Sequence, residues 1–421
     1  MSGDAIDELV TATWRTSSAR LVGALTRITR DVALAEDLAQ DALLAALEQW
    51  PLTGVPANPA GWLMTTAKRR GVDHFRRAET LQRRTEEVAH ALAGEDAMED
   101  LDAQVDHIED DVLRLMFLTC HPVLSAASRA ALTLRLVGGL STQEIARGFL
   151  VSEATMGQRI SRAKQTLVRA GAEFDLPTGA ERADRLDDVA AVVYLIFNEG
   201  YSASAGDDWL RRDLMAEATR LARMLAELAP GEPEALGLLT LLELQGSRSA
   251  ARLDAAGEPV LLENQDRRAW DEEAIRRGLA LLGEATQWAA RGTPVGRYFL
   301  QAAIAAEHAR AARAEDTRWD RIAELYDVLA QAAPGPVVEV NRAVAYGRAH
   351  GPAAGLQVLA AIDSDELAGS PMVPAVRGDL LERSGQYAAA AAQFGEAAAR
   401  TDNAGERSVL LRREREARAH D

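Results

Sequence analysis

Residues 139–169 read GLSTQEIARGFLVSEATMGQRISRAKQTLVR, and this stretch decides the fold of the first half of the chain. Ser141 and Glu144 have the spacing of a capping box, in which each side chain satisfies a free backbone N–H at the start of a helix. Ser152 is a good N-cap for a second helix that runs to about Arg169. The pattern predicts a helix-turn-helix.

The second of these helices is basic. It carries Arg159, Arg162, Lys164 and Arg169, with no acid after Glu153. Such a helix suits contact with phosphates, and its first two turns would face the major groove of DNA. Small helical hairpins and solvated basic faces also occur without DNA binding, so the local pattern alone leaves both interpretations open.

Length and composition limit the classes of protein to consider. The 421 residues are enough for two to four domains, each with its own core. Cys120 is the only cysteine, which excludes an internal disulfide and favours a reducing compartment. The first residues, MSGDAIDELV, lack the basic and apolar parts of a signal peptide, and no apolar run reaches membrane-spanning length. We expect a cytoplasmic protein that does not bind a membrane.

Charge is distributed unevenly along the chain. The net charge is −17; residues 1–172 hold 19 basic and 23 acidic residues, and the remaining −13 lies in residues 173–421. Residues 60–84 hold seven basic and two acidic residues, whereas residues 85–111 hold eleven acidic residues and no lysine or arginine. A basic helix is therefore followed by an acidic linker. The net negative charge argues against a protein that binds nucleic acid without the help of a partner.

Two amphipathic helices are expected before this basic region. Residues 4–30 have helical periodicity, with Trp14 in the predicted core, and a second helix is expected over residues 31–50. On the second helix we expect Leu34, Leu38, Leu44 and Leu47 to face inward, and Glu36, Asp37, Gln40 and Asp41 to face outward as a docking surface.

A loop and a third helix follow. Residues 51–61 contain three prolines and two glycines and are predicted to form a loop. Residues 61–77, GWLMTTAKRRGVDHFRR, return to a helical pattern that buries Trp62, Leu63 and Phe75. Its polar face presents Lys68, Arg69, Arg70, His74, Arg76 and Arg77.

The order and spacing of these blocks resemble regions 2 and 4 of the extracytoplasmic-function sigma factors of RNA polymerase. The resemblance covers about residues 1–172. It implies a region 2 helical bundle over 1–78, an acidic linker over 79–110 and a region 4 helix-turn-helix bundle over 111–172. It also implies that core RNA polymerase and promoter DNA are the partners, and that the chain is not an enzyme and needs no cofactor.

For region 2, the resemblance implies two kinds of contact. Asp37, Gln40 and Asp41 would bind the clamp helices of the polymerase β′ subunit, while the β flap is a further expected contact of the polymerase. Asn58 would hold a flipped base of the −10 element, which is physically reasonable because melted DNA offers unstacked bases to a pocket and phosphates to cations. The phosphates near the melted strand would be met by Lys68, Arg69, Arg70, Arg76 and Arg77.

For region 4, the resemblance assigns readout of the −35 element to the second helix of the motif. Gln158 could pair with an adenine edge and Arg162 with a guanine edge. Gly157 stands where many relatives carry a basic side chain, and Leu150 replaces the usual glycine of the turn. The expected base-reading positions are Gly157, Gln158, Ser161 and Arg162, with Arg159 and Lys164 placed for phosphates.

Residues 186–421 form a further body that also has a helical pattern. Gly351 and Gly385 each lie between two helical segments, and the spacing between them equals one tetratricopeptide period of about 34 residues. Trp319 to Ala332 resembles the closing helix of an earlier repeat. Residues 186–290 are assigned to the repeat by continuity. The chain resembles sigma factors with a tetratricopeptide-like C-terminal extension, so the predicted fold class is all-α throughout.

Two stretches of the extension mix aromatic, amide and acidic residues: YLIFNEGYSASAG at 194–206 and LLENQDRRAWD at 261–271. They are either a surface that senses a protein or small-molecule regulator, or a polar inter-helix loop and a capped turn; both readings stay open. We hypothesise that the acidic extension controls activity in cis. The candidate regulatory residues are Asn198, Glu199, Tyr201, Glu263, Gln265, Asp266, Arg267 and Trp270.

Other functional classes fit the sequence less well. A helix-turn-helix activator with a repeat scaffold would leave residues 35–77 unexplained. Cys120 and His121 have no third or fourth partner in range, so we predict core packing and no metal. An enzyme could assemble a carboxylate or metal cluster, but no catalytic motif accompanies it. The residues available for that cluster are Glu199, Asp207, Asp208, Glu307 and His308.

Overall fold

The computed structural model describes residues 3–78, 101–149, 151–201, 212–254, 259–362, 367, 369–401 and 403–420, and side chains within them except at 3–8, 73–78, 101–109 and 180. The described residues are all-α, as predicted, with 18 helices and a single antiparallel bridge between Leu253 and Pro259. None of these helices is long and apolar enough to span a bilayer. The chain divides into two compact units, residues 1–195 and 196–421.

Among its described residues, the first unit contains seven complete helices, and the eighth helix carries the boundary between the two units. They are α1 (Gly3–Thr29), α2 (Val32–Thr53), α3 (Pro59–Ala78), α4 (Leu101–Thr119), α5 (Ala126–Leu136), α6 (Thr142–Gly148), α7 (Glu153–Arg169) and α8 (Gly179–Tyr201).

The packing of helix α2 agrees only in part with the prediction, since Leu38 is buried as expected but Leu44, Leu47 and Glu36 are not placed as expected. Its inward face is a stripe of fully buried alanines, which allow close approach to a neighbouring helix. Leu44 and Leu47, predicted to be inside, are 55% and 37% exposed, and Glu36, predicted to be outside, is 5% exposed. The alanine stripe takes the core side, so Leu44 and Leu47 turn to solvent. Its members are Ala35, Ala39, Ala42, Ala45 and Ala46.

The predicted loop over residues 51–61 is shorter in the structure. Helix α2 continues through Pro51 to Thr53, and α3 begins at Pro59, so residues 54–58 form the loop. Pro59 takes the first helical position, where a missing N–H leaves no hydrogen bond unmade. Asn58 caps α3, because its Oδ1 accepts the N–H of Gly61 at 3.0 Å.

The helix-turn-helix is confirmed. The side chain of Ser141 accepts the N–H of Glu144 at 3.2 Å, and Glu144 Oε2 accepts the N–H of Ser141 at 2.8 Å. Ser152 Oγ accepts the N–H of Thr155 at 3.2 Å and starts α7. The buried face of α7 consists of Met156, Ile160, Ala163 and Leu167.

The first helix contacts the turn that precedes this motif. The indole Nε1 of Trp14 donates to the carbonyl of Gly139 at 3.0 Å, and the Trp14 side chain is buried, as predicted. Gly139 has a φ of +70°, and a Cβ added there would lie 2.5 Å from Ser18 Oγ. Only glycine fits at this contact without strain.

The second unit continues the helical chain. Its helices are α9 (Arg212–Leu228), α10 (Pro233–Gly246), α11 (Glu272–Ala290), α12 (Arg297–Arg310), α13 (Trp319–Ala332), α14 (Pro336–Ala349), α15 (Pro352–Ala360), α16 (Met372–Arg383), α17 (Tyr387–Arg400) and α18 (Ala404–His420).

The predicted helical pairs around Gly351 and Gly385 are present. The two glycines separate α14 from α15 and α16 from α17, and their φ values of +95° and +77° explain why glycine recurs there. Within the first pair, a Cβ on Gly355 would lie 2.6 Å from the carbonyl oxygen of Ala343, so the helices meet through backbone.

Helix α10 is the buried centre of the earlier part of this unit. Nearly every residue from Pro233 to Leu244 is buried. Glu234, on this helix, accepts the backbone N–H groups of Gly296, Tyr298 and Phe299 at 2.8–3.0 Å. Gly296 is the N-cap of α12 and has no side chain that could accept a hydrogen bond. The carboxylate of Glu234, on α10, therefore accepts the free N–H groups at the start of α12.

Residues 261–271 contain two short 3₁₀ turns, and hydrogen bonds from Arg267 join them to the end of α12. Arg267 donates to the carbonyls of His308 and Ala311 and to the hydroxyl of Thr317. Burial, together with the nearby cations of Arg248, Arg267 and Arg348, lowers the pKa of His308 to about 3. The imidazole is thus neutral in the folded unit near neutral pH.

Gly139→Ala and Gly157→Ala should have opposite effects on stability. The first forces a side chain into the left-handed region, which costs about 1–2 kcal/mol, and crowds Ser18. The second removes a glycine from a helix interior where a Cβ meets only Thr142 at 3.8 Å, which should add about 0.5–1 kcal/mol. Urea unfolding of the full chain measures both. Shifts of the same sign would contradict this account.

His308 should make the second unit sensitive to acid. Its folded pKa of about 3 lies below the unfolded value of about 6.5, so the unfolded chain binds the proton first and stability falls as pH drops through this window. At pH 5 the loss from this group is about 2 kcal/mol. We expect His308→Gln to lose correspondingly less stability than the unaltered chain between pH 7 and pH 5 in urea unfolding. Equal losses would show that His308 is not responsible.

Candidate nucleic-acid interface

Three of the predicted base-reading residues share one solvent face of α7. Gln158, Ser161 and Arg162 are exposed, and their three- and four-residue spacings place them side by side on the helix. Gly157 and Arg159 are half-buried at the edges of this face. The face is opposite the buried stripe of α7, and no described side chain is ion-paired to Arg162. It presents one amide, one hydroxyl and one guanidinium to the solvent.

Lys164 lies away from that face. Its side chain is mostly buried and forms an ion pair with Glu36 of α2. Arg135 of α5 contacts the same carboxylate, with Nε 2.6 Å from Oε1. In this arrangement the predicted phosphate ligand Lys164 is held by an internal carboxylate.

Glu36, which was predicted to face outward, is buried and joins three helices. A carboxylate that is removed from water needs charged partners, and deleting one partner of such a group commonly costs about 3–5 kcal/mol. Here Arg135 and Lys164 provide two cations, so helices α2, α5 and α7 converge on one charge. No local signal in the sequence marks Glu36 as buried, since Asp37, the next residue, has the same chemistry and is exposed.

The outward face of α2 combines charge with apolar surface. Asp37 and Asp41 are exposed and Gln40 is half-buried, which agrees with the predicted docking face. Leu44 and Leu47 add apolar surface further along the helix. Leu52, in the last turn, is 86% exposed. Exposed large apolar side chains grouped on one helix are typical of a protein-binding surface.

The side chains predicted to contact the −10 element lie on the loop and on α3. Asn58 is exposed and has its Oδ1 engaged as the helix cap. Arg69 is exposed, Lys68 is half-buried, and Arg70 forms an ion pair with Asp41 at 3.4 Å. Arg76 and Arg77 belong to α3, but their side chains lie outside the described residues, as does Leu150 of the turn.

The candidate regulatory residues of 261–271 make mainly internal contacts. Glu263 accepts from Arg348 of α14 and from Arg383 of α16, the latter at 2.9 Å. Trp270 is buried, and Gln265 donates to the carbonyl of Val260. Asp266 is exposed and caps the turn through the N–H of Arg268. With Arg267 bound to α12, these contacts favour the capped-turn reading.

The candidates on α8 also take part in packing. Arg248 donates to the hydroxyl of Tyr201 at 2.5 Å, and Arg252 donates to its carbonyl at 2.7 Å. The Arg252 guanidinium lies 3.6 Å from the centroid of the Tyr201 ring, in a cation–π contact. Asn198 and Glu199 are half-buried on the same helix.

The carboxylate cluster of a hypothetical enzyme is not assembled in the part of the chain that the structure describes. Glu307 is buried and pairs with Arg318 at 2.7 Å and with Arg310 at 3.0 Å. Asp207 and Asp208 lie outside the described residues. Among the residues searched, no group of three or more His, Cys, Asp or Glu could hold a metal.

Cys120 packs in the core, as predicted. Its Sγ lies 3.4 Å from Thr133 Oγ1, and burial raises the pKa of the thiol to about 11. A thiol with so high a pKa is a poor nucleophile and a poor metal ligand at neutral pH.

Family models match three parts of the chain. Sigma-70 region 2 matches residues 14–80, sigma-70 region 4 matches residues 114–167, and a family of unknown function, DUF6596, matches residues 185–286. The first two cover the helices that carry the candidate interface. The third covers the start of the C-terminal extension, including both candidate regulatory stretches.

Similar proteins agree with these matches. "Uncharacterized protein R00370" of Rhizobium meliloti is 44% identical over 398 residues, which is 92% of this chain and 91% of the relative. A probable extracytoplasmic-function RNA polymerase sigma factor, SigI, of Mycobacterium tuberculosis is 30% identical over 161 residues, 38% of this chain and 52% of the relative. SigK of a Mycobacterium species, another such factor, is 29% identical over 149 residues, 34% of this chain and 72% of the relative. No solved structure matches the chain.

Both sigma-70 regions are present in the expected order, with a helix-turn-helix in the second and a long helical body after it. Sigma factors are transcription initiation factors and are not enzymes in themselves. The chain belongs to the extracytoplasmic-function sigma factors of RNA polymerase, in the group that carries a C-terminal helical extension.

Proposed function

We propose that this alternative sigma factor brings core RNA polymerase to promoters by reading a −35 element with α7 and a −10 element with the loop before α3. Its C-terminal extension then regulates that activity in cis. The observation that carries the proposal is the pairing, in one unit, of a polar base-reading face on α7 with a mixed acidic and apolar face on α2.

The α2 face supports a contact with the β′ clamp helices of the polymerase. Asp37 and Asp41 supply charge for orientation, and the exposed leucines supply area that is removed from water on binding. Region 4, over residues 111–172, is the part that would meet the β flap. A protein that works on core polymerase and the chromosome acts in the cytoplasm.

The α7 face supports base readout in the major groove. Gln158 suits adenine and Arg162 suits guanine, since each can make two parallel hydrogen bonds to the base edge. Ser161 lies between them, and Arg159 is placed at the margin, where phosphates pass. For the −10 element, Asn58 remains the candidate for a flipped base.

Promoter binding requires the first unit to open. The −10 and −35 elements are about 25 base pairs apart, which is about 85 Å along duplex DNA. In the structure, Glu36 of region 2 touches Arg135 and Lys164 of region 4. While these residues remain in contact, region 2 and region 4 cannot bind two promoter elements that lie so far apart. Opening would also release Lys164 for a phosphate.

The C-terminal extension is proposed to regulate the sigma regions. Residues 173–421 carry a charge of −13, and an acidic body competes with DNA and polymerase for basic surfaces. A protein or small-molecule regulator of this activity would bind the extension. This charge distribution is what supports regulation in cis.

Run-off transcription with purified core polymerase, on promoters selected from genomic DNA, tests the proposal. The full chain should be compared with residues 1–195, because Arg185 of α8 donates to the carbonyl of Phe117 and Asp188 pairs with Arg129. Core-dependent initiation is expected, with a different level of activity for 1–195. Failure to bind core, together with binding of duplex DNA by the protein alone, would favour a helix-turn-helix activator.

Arg162→Ala should relax promoter specificity at one position. Loss of a two-bond contact to guanine costs about 1–3 kcal/mol for the preferred base and little for the others. Binding of −35 duplexes that carry each base at that position measures the effect. Arg169→Ala, at the far end of the same helix, is the control and should weaken all duplexes equally. Equal weakening by both variants would rule out base readout by Arg162.

Glu36→Gln should strengthen the salt dependence of DNA binding. Without the carboxylate, Lys164 is free to meet a phosphate, and each added phosphate contact steepens the logarithmic salt slope by about 0.9. Fluorescence anisotropy with a −35 duplex at several salt concentrations gives the slope. Glu48→Gln, on an exposed site of the same helix, changes the net charge equally and should leave the slope unchanged. Identical slopes for the two variants would contradict the proposed role of Glu36.

A further inference from the structure

The second unit contains a cavity that no contact of the sigma regions uses. It is open to solvent, has a volume of about 520 Å³ and lies against one face of α9, the end of α10, the start of α11 and the 3₁₀ turns near residues 249–251 and 267–269. Ligand sites commonly measure about 300–1,000 Å³, so this volume suits a small molecule.

Small side chains create the space. Ala216 and Thr219 line the α9 side, and Gly246, Ala250 and Ala269 line the opposite side. Phe197, Met215 and Leu242 give part of the wall an apolar surface. The cavity therefore offers room for a compact body that is partly apolar.

Arginines surround this space. Arg212 and Arg223 lie at the two ends of the lining face of α9, and Arg277 faces them from α11. Arg223 and Arg277 both contact the carboxylate of Glu243, at 2.7 and 2.8 Å, and that carboxylate is 4% exposed. Glu243 thus holds two guanidinium groups beside the cavity.

Among the described lining residues, three arginines face two carboxylates. Glu243 is shared by two arginines, and the other acid, Asp271, uses its Oδ1 to cap α11 through the N–H of Ala274. Arg212 has no hydrogen-bond or ion-pair partner among the described residues. One terminal nitrogen of Arg223 donates to Glu243, so the remaining N–H groups of its guanidinium are available to another acceptor. The surplus is notable because residues 196–421 carry a net charge of −9.

We propose that this cavity binds a small molecule with one oxyanion group, a carboxylate or a phosphate, on a compact and partly apolar body. Arginine forks match the geometry of both oxyanions. Arg212 and Arg223 bind the anionic group, Glu243 positions Arg223 and Arg277, and the small side chains admit the body of the ligand. The binding site does not depend on the proposed promoter contacts.

Isothermal titration of the full chain with phenyl phosphate and with benzoate tests the site and separates the two oxyanions, with sodium chloride at matched ionic strength as the blank. We expect saturable binding of at least one probe at one site per chain. Arg212→Gln and Arg223→Gln should each raise the Kd about tenfold or more, the size of effect expected for loss of a charge-assisted hydrogen bond. Ala216→Leu, which fills the cavity from an exposed helix position, should abolish binding without a change of charge.

Arg412→Gln is the matched control, because it removes the same charge from an exposed site of α18 away from the cavity. It should bind the probes as the unaltered chain does. No saturable binding of either probe at millimolar concentration would overturn the proposal. Equal Kd values for the Arg212→Gln and Arg412→Gln variants would overturn it as well.

Discussion

The buried carboxylate of Glu36 is the interaction on which the arrangement of the sigma regions depends. Taken out of water, this charge is stable only while Arg135 and Lys164 remain beside it, so helices α2, α5 and α7 are held together. The same contact occupies Lys164, the cation that we propose for a phosphate of the promoter. In that proposal, a single ionic cluster couples the packing of the free chain to the availability of the surface that would bind DNA.

In the second unit, carboxylates removed from water join helices and turns in the same way. Glutamates that are partly or fully buried each accept from arginines, or from backbone N–H groups, on other helices or turns. An ion pair in this setting fixes geometry, because the planar guanidinium accepts few orientations relative to a carboxylate. A chain that is rich in alanine and arginine therefore obtains its specific helix contacts from charge as well as from apolar packing. The glutamates concerned are Glu234, Glu243, Glu263 and Glu307.

Local signals in the sequence predicted the fold well where they act within one or two helical turns. The caps at Ser141 and Ser152 and the glycine turns at Gly351 and Gly385 are present because each depends on neighbouring residues alone. The predicted burial of Leu44 and Leu47 was wrong, since leucine was assumed to take the core side and alanine packs more closely there. The site was harder to predict. The burial of Glu36 depends on Arg135 and Lys164, which belong to helices far along the chain, and no local pattern records such a contact.

The most direct test of this account is the distance between regions 2 and 4 before and after the chain binds core polymerase. Spin labels on cysteines introduced at the exposed positions Gln49 of α2 and Gln165 of α7 allow this distance to be measured in the full chain. The account predicts a short, narrow distance distribution in the free protein and a shift of tens of ångströms in the complex, as the roughly 85 Å between promoter elements requires. An unchanged distribution on binding core polymerase would contradict it.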